Sequence, residues 1–366
     1  MEKRHLRMFA SCIPIKGAVR SGICDVDRGH FETVPNSLIH VINRLRPLPY
    51  AEVIATYSEE DRFTIDEYLD WLVENEWAFW CNDQDADNFI DLPLNHEIPL
   101  EIDNAIIDID APESLDYHKV FDQLLELGVR HVQIRSYVPV LFSFYVPLVK
   151  LCSWSRLNSI SILTPYVQGE EIGTDDLIVD GKRLIRISSI IIFNAPYAKV
   201  IVGDDETTSI IYVKENITGK ECCGQISPSF FSINMDTYLE SQHFNTCLNK
   251  KISIDTQGNI KNCPSMPKSF GNIRDTTLRE ALTQEGFKDI WHIRKDDIAV
   301  CQDCEFRHIC TDCRAYVDDS SDSFSRPLKC GYNPYQAKWK GEEGYVPVIE
   351  MSIRERERIK KENLFQ

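Results

Sequence analysis

The stretch CQDCEFRHICTDC, from Cys301 to Cys313, sets four cysteines apart by two, five and two intervening residues. A CxxC knuckle puts two thiolates on one turn, aimed at one metal, and later cysteines reach the same site only where the chain folds back. Upstream, Cys247 and Cys263 flank a predicted hairpin; downstream, Cys330 follows a polar loop. Seven of the thirteen cysteines fall between 247 and 330. Local turns alone cannot gather all seven, so two sites sharing one framework fit better than one. The neighbouring pair Cys222 and Cys223 could supply one further ligand. Crowding at one end of the chain favours metal ligation over disulfides. Tetrahedral zinc held by thiolates obeys the same spacing rules, so two zinc ions stand open as one reading of the chemistry.

Composition narrows the partners. The chain has 366 residues and a formal net charge of -17, which opposes a broad electrostatic footprint on nucleic acid and docking on an anionic membrane. No apolar run reaches the roughly 18 residues of a spanning helix. The start MEKRHLRMFASCIPIKG lacks the apolar region and cleavage site of a signal peptide, so a cytoplasmic protein is expected. The sequence has no Ser-His-Asp set, phosphate-cradling glycine loop or His-Glu-x-x-His motif, and hydrolase and nucleotide-binding readings lack support.

Along the chain, the periodicity predicts an α/β protein. Residues 8 to 35 read as short strands, with Asp27-Arg28-Gly29 turning between SGICDV and HFETVP. Three helices follow: one capped by Asn36, one opened by Pro49, and one introduced by a capping box of Thr64 and Glu67. With a closing strand at Ala78 to Cys81 they make a winged-helix-like unit over 1–95. From Ala105 to Ile109, strands alternate with helices: a helix from Ser114, a strand Val129 to Ile134, a helix Phe144 to Leu157, and strands Ser159 to Leu163 and Leu184 to Phe193. This is a parallel βα arrangement too short for a closed eight-fold barrel, hence open or partial, over 96–215. Lys251 to Asp255 and Gly258 to Asn262 pair around Thr256-Gln257 within a cysteine-rich unit over 216–340. The tail 341–366 alternates charge at helical spacing and reads as a solvated helix. Cys12, Cys24, Cys81 and Cys152 stand apart and read as small core residues.

Cys247, Gly258 with Cys263 five positions on, CQDCEFRHICTDC, Cys330 and the phrase Gly271-Asn272-Ile273 together resemble the SPASM domain appended to peptide-modifying radical SAM enzymes. The resemblance implies two [4Fe-4S] clusters. Cys301, Cys304, Cys310 and Cys330 would hold one. Cys247, Cys263 and Cys313 would hold the other, its last position filled by Cys222 or Cys223 or left open. Cys310 and Cys313 depart from the family, which usually has three residues between the last pair. The family's CxxxCxxC is missing: after Ala105 to Ile109 the chain runs through Asp110-Ala111-Pro112 into the next helix. Its Gly-Gly-Glu-Pro run is missing too, with Arg135-Ser136-Tyr137-Val138-Pro139 in its place, so S-adenosylmethionine binding is not implied. The chain as a whole resembles the SPASM-domain peptide maturase of grasp-with-spasm systems, which work with an ATP-grasp ligase and a ribosomal precursor peptide. That implies a peptide-recognition role for 1–95, at the strand edge Ser21 to Val26 or Phe31 to Val34. A non-catalytic adaptor that delivers the precursor, folded by its metal, is the alternative. His292 and His308 could tune a nearby cluster.

Overall fold

The computed structural model describes residues 5–111, 113–203 and 207–363. Pro112 and the outermost residues of the expected terminal units, 1–4 and 364–366, lie outside the described residues, as do 204–206 within the expected βα unit.

The chain opens with β1 (His5–Met8), β2 (Cys12–Lys16), β3 (Arg20–Asp25) and β4 (His30–Pro35), then α1 (Asn36–Leu45), α2 (Tyr50–Ile54), α3 (Glu59–Glu74) and β5 (Ala78–Cys81). The β3–β4 turn is where the sequence places it, with Asp25 opposite His30 and Gly29 at a φ of 66°. In the sheet order β2-β3-β4 the middle strand is bonded on both sides, so Ser21 to Val26 is no open edge. β4, carrying Phe31 to Val34, is an edge. β5 closes the unit against β1. Leu6, Ile23, Val34, Leu38, Ile42 and Leu72 meet in its core.

Two helix starts differ from expectation. Asn36 does not cap α1: Pro35 holds that position, and the Asn36 side chain is buried, accepting from Ser21 Oγ at 2.6 Å and donating to the Asn363 carbonyl at 2.9 Å. Thr64 and Glu67 lie inside α3, which starts a turn and a half earlier. Ser58 Oγ accepts from the Asp61 amide at 3.2 Å, and Glu59, Glu60 and Asp61 follow, so cap and acidic first turn complement the helix dipole together.

Next come β6 (Asn104–Ile109), α4 (Tyr117–Glu126), β7 (His131–Ser136), α5 (Tyr145–Leu151), β8 (Ser159–Pro165), the small hairpin β9 (Ile178–Val179) and β10 (Lys182–Arg183), and then β11 (Ile187–Phe193), β12 (Lys199–Val202) and β13 (Ser209–Tyr212). α4 starts at the Asp116 cap, whose Oδ1 accepts from the Lys119 amide, and not at Ser114. α5 is half the expected length, because Cys152 to Ser155 turn back on themselves. After α6 (Met235–Ser241), β14 (Lys251–Ile254) and β15 (Ile260–Lys261) form the predicted hairpin. One eight-stranded sheet of order β12-β13-β11-β8-β7-β6-β14-β15 results, parallel from β13 to β14, antiparallel at both ends, and open. Strand β14 pairs with β6, so the sheet continues past residue 215 into the cysteine-rich region. Alternating Ile and Val side chains bury its faces, and α4 packs beside α5 and α7 (Leu278–Thr283). At the carboxyl ends of β6 and β7, Asp108 and Arg135 sit opposite one another as a buried two-pronged ion pair of 2.7 and 3.0 Å.

The remainder is turn-rich, with the hairpin β16 (Tyr332–Asn333) and β17 (Lys338–Trp339) and the charged helix α8 (Ile353–Glu362). α8 is tethered as well as solvated: Lys360 reaches Asp303 at 3.0 Å, between Cys301 and Cys304. Among the described residues no helix is long and apolar enough to cross a membrane.

Candidate metal centre

Cys301, Cys304, Cys310 and Cys330 line one pocket that opens in part to solvent. The sequence brings them there by short turns. Val300 enters the knuckle with a φ of 71°, a conformation β-branched residues avoid, and the turn behind it closes where the Cys304 amide donates to the Cys301 carbonyl at 3.0 Å. The amides of Ile309 and Cys310 both donate to the Phe306 carbonyl, turning Cys310 back toward the knuckle. Cys330 arrives from the far side, beside Ile226 and just before β16, its carbonyl accepting from Arg326 at 2.8 Å.

Phe231, Phe306, Tyr332 and Trp339 complete the apolar wall, with the Tyr332 and Trp339 rings tilted against one another at 4.8 Å between centroids. Burial pushes the Cys301 thiol up to about 12 and also raises Cys304 and Cys310. Even beside the Lys295 ammonium these thiols stay protonated near neutrality, and a metal would have to displace their protons.

Cys247, Cys263 and Cys313 gather elsewhere, around the end of the β14–β15 hairpin. Asn245 Oδ1 accepts from the Cys247 amide at 3.0 Å and from the Leu248 amide at 2.9 Å, fixing the turn before β14, while Cys263 leaves β15 beside it. The segment 218–224 closes on this group. Lys220 Nζ donates to the Pro264 carbonyl at 3.3 Å, and a Cβ at Gly224 would stand 2.8 Å from Cys313 Sγ. Gly224 also has a φ of 80°, so glycine is required there twice over.

Cys223 is carried to this group by the chain, since it directly precedes Gly224, whose backbone packs against Cys313 Sγ. Cys222 faces elsewhere. Its sulfur turns toward Thr218 Oγ1 at 3.7 Å, and hydrogen bonding from Thr218 lowers its pKa. Among the described residues no three His, Cys, Asp or Glu side chains converge on a point fit for a single metal ion.

The hairpin between Cys247 and Cys263 is locked by a second turn. Gly258, at a φ of 86°, bonds through its carbonyl to the Ile273 amide at 2.8 Å, and the Gly271 carbonyl accepts from the Ile260 amide at 2.9 Å. Asn272 Nδ2 donates across to the Gln257 carbonyl at 3.0 Å. The Gly-Asn-Ile phrase is therefore a clasp on the hairpin that carries both cysteines. Residues 246–305 match the family profile of the SPASM domain, described as an iron-sulfur cluster-binding domain.

The chain carries a SPASM-domain region. Its match ends at 305, before Cys310, Cys313 and Cys330. No curated protein matches the chain. Among solved structures, the crystal structure of Streptococcus suis SuiB is 11% identical, with 89% of this chain and 98% of that chain covered at a TM-score of 0.36. SuiB bound to S-adenosylmethionine gives 12%, 89%, 98% and 0.36. SuiB bound to precursor peptide SuiA gives 11%, 85%, 96% and 0.30.

The remaining candidates sit away from the thiols or are spoken for. His292 is exposed beside Phe244. His308 is buried, with Nδ1 at 3.0 Å from Ser241 Oγ, and burial pushes its pKa down to about 4, so it is neutral at physiological pH. Cys12, Cys24 and Cys152 are fully buried core thiols; Cys81 is half-buried in β5. Two lysines that spacing could not single out, Lys251 and Lys295, lie against the cysteines. Nothing local in the sequence marks them.

Proposed function

We propose that this chain serves the maturation of a ribosomally made precursor peptide and holds two [4Fe-4S] clusters in its SPASM region. The carrying observation is the cavity lined by Cys301, Cys304, Cys310 and Cys330. These are the four residues that the family pattern groups around one cluster. A pocket that gathers four thiols among aromatic and cationic side chains suits an anionic, thiolate-bound group, and an iron-sulfur cube is bound by cysteine thiolates in this way. For the second cluster the ligands are Cys247, Cys263, Cys313 and Cys223. When bound, such clusters supply one-electron transfer or the folding energy of a metal site.

Each protein residue has a simpler task. The knuckle turns present sulfurs to the pocket, the aromatic wall partly shields it from water, and the Gly258–Asn272–Ile273 clasp holds the hairpin. With Cys223 in place each set has four thiols and no iron is left open to bind substrate. That arrangement favours a structural or electron-relay use of the clusters, and it lends weight to the reading of the chain as a metal-stabilised adaptor that delivers the precursor to an ATP-grasp ligase. Precursor capture is assigned to the winged-helix-like unit, at the open edge of β4, where an added strand would gain main-chain hydrogen bonds. The βα sheet between them is read as a shortened relative of the radical SAM barrel, and the protein as cytoplasmic.

The test is anaerobic co-purification with a co-expressed precursor peptide and an ATP-grasp ligase of the grasp-with-spasm type. A ternary complex that survives in the wild type, and is lost when β4 is disrupted by proline substitution, supports the reading. Failure of the wild type to retain the precursor would remove it.

A further inference from the structure

Each cysteine set has one lysine laid against its sulfurs. Lys295 is 6% exposed, and its ammonium stands 3.3 Å from Cys310 Sγ, on the wall of the four-cysteine cavity. Its carboxylate neighbour is Asp312, at 3.8 Å. That carboxylate already has a closer cation. Arg314 donates to Asp312 Oδ1 at 2.9 Å through Nε and at 2.6 Å through a terminal nitrogen, and Asn245 donates to Oδ2 at 2.8 Å. One buried acid thus faces two buried cations. A buried ammonium is stable only when paired, so the surplus positive charge of Lys295 falls to the cysteine sulfurs.

The second set repeats the arrangement on different elements. Lys251, the first residue of β14, places its ammonium 3.8 Å from Cys247 Sγ, and among the described residues no carboxylate forms an ion pair with it.

We propose that Lys295 and Lys251 are the built-in counter-charges of the two clusters, each raising the reduction potential of the cluster it faces. The proposal rests on reading the two cysteine sets as cluster ligands. Reduction adds one negative charge to a cluster already surrounded by thiolates. A fixed ammonium at this range in a dry site stabilises the reduced form more than the oxidised one. Lys295 is the closer and more deeply buried, and its effect is the larger. Both lysines are positioning residues: they touch ligand sulfurs and act on the cluster through charge.

The experiment uses the full chain, loaded anaerobically, with iron and sulfide counted before each redox titration followed by electron paramagnetic resonance. Lys295→Met is measured in a Cys247→Ala background and Lys251→Met in a Cys304→Ala background, so that one cluster is read at a time. Lys295→Met is expected to disfavour reduction at least tenfold, about 59 mV for a one-electron couple, and Lys251→Met to disfavour it by less. Lys295→Arg, which keeps the charge, stays near the wild-type potential. A Lys295→Met protein that loses its cluster while Lys295→Arg keeps it also supports the proposal, since charge is then required for binding. Unchanged potentials with full iron, or loss of the cluster in both variants alike, would overturn it. A wild-type chain without iron would instead bring down the cluster reading itself, before any lysine variant is made.

Discussion

At the scale of single residues, the two cysteine sets make separable demands. Cys304→Ala removes one wall of the first cavity and leaves the second set untouched, so iron per chain is expected to fall from about eight to about four. Within the vicinal pair, Cys223→Ser is expected to alter the spectrum of the second cluster, whereas Cys222→Ser leaves it as it was. Equal effects of the two substitutions would contradict the assignment. Glu240, near the Lys251 ammonium, gives a pH signature of the metal-free chain. Burial pushes its carboxyl from an ordinary 4.5 up to about 7, against an Asn249 hydrogen bond of 2.8 Å. An acid whose folded pKa is raised stabilises the fold fully below 4.5, and that contribution is lost as pH rises through 7. Glu240→Gln retains an acceptor for Asn249 and should flatten the fall in thermal stability across this window by about 2 kcal/mol, given that the side chain keeps some contact with water. Melting curves of both proteins from pH 4.5 to 8 check it; parallel curves would refute it.

At the scale of elements, short-range chemistry was readable and long-range pairing was not. The β3–β4 turn follows from Asp27-Arg28-Gly29, and the β14–β15 hairpin from Thr256-Gln257 with Gly258, because two or three residues decide a turn. Helix starts were harder where two signals compete. Thr64 and Glu67 have the spacing of a capping box, yet Ser58 with three acidic residues behind it starts α3 earlier. Asn36 reads as a cap but spends its side chain on Ser21 and on the Asn363 carbonyl, a partner 327 residues away. The insertion of β14 beside β6 is likewise a contact between distant segments, which local periodicity does not encode. Lys295 escaped notice for the same reason: its meaning lies in which carboxylate Arg314 has already bound. The CxxC spacing by itself pairs only Cys301 with Cys304; the grouping of these two with Cys310 and Cys330 came from the family resemblance, and the four do line one pocket. The proposal that Cys223, and not Cys222, joins the second set rests on the turn at Gly224, which no local signal in the sequence marks. Gly224→Ala would force a Cβ to 2.8 Å from Cys313 Sγ at a positive φ. It is expected to cost about 1 kcal/mol or more and to impair the second cluster alone, as iron content and its spectrum would reveal.

At the scale of the molecule, the first unit is bolted to the cysteine knuckle. Arg20 of β3 meets the buried Glu305 at 2.7 Å, Tyr332 donates to the same carboxylate, and Phe31 of β4 lies 5.2 Å from Phe306. The Ala18 amide donates to the Asp303 carbonyl at 2.8 Å, and Arg307 to the Lys16 carbonyl at 2.7 Å. The edge strand β4 and the first cysteine set therefore share one aromatic cluster, with Phe31 and Phe306 joined to Phe231, Tyr332 and Trp339. Glu305→Ala is expected to destabilise the protein by about 2–3 kcal/mol in chemical denaturation, short of the cost at a fully buried pair because Arg20 keeps about a third of its side chain in water. The proposal that these cysteine sets hold iron-sulfur clusters is tested by one direct measurement. The protein purified anaerobically is assayed for iron, sulfide and zinc per chain, with absorption and electron paramagnetic resonance spectra before and after dithionite. About eight irons and eight sulfides, with a signal that appears on reduction, is the expected result. Stoichiometric zinc without iron, persisting through anaerobic reconstitution, would contradict the account.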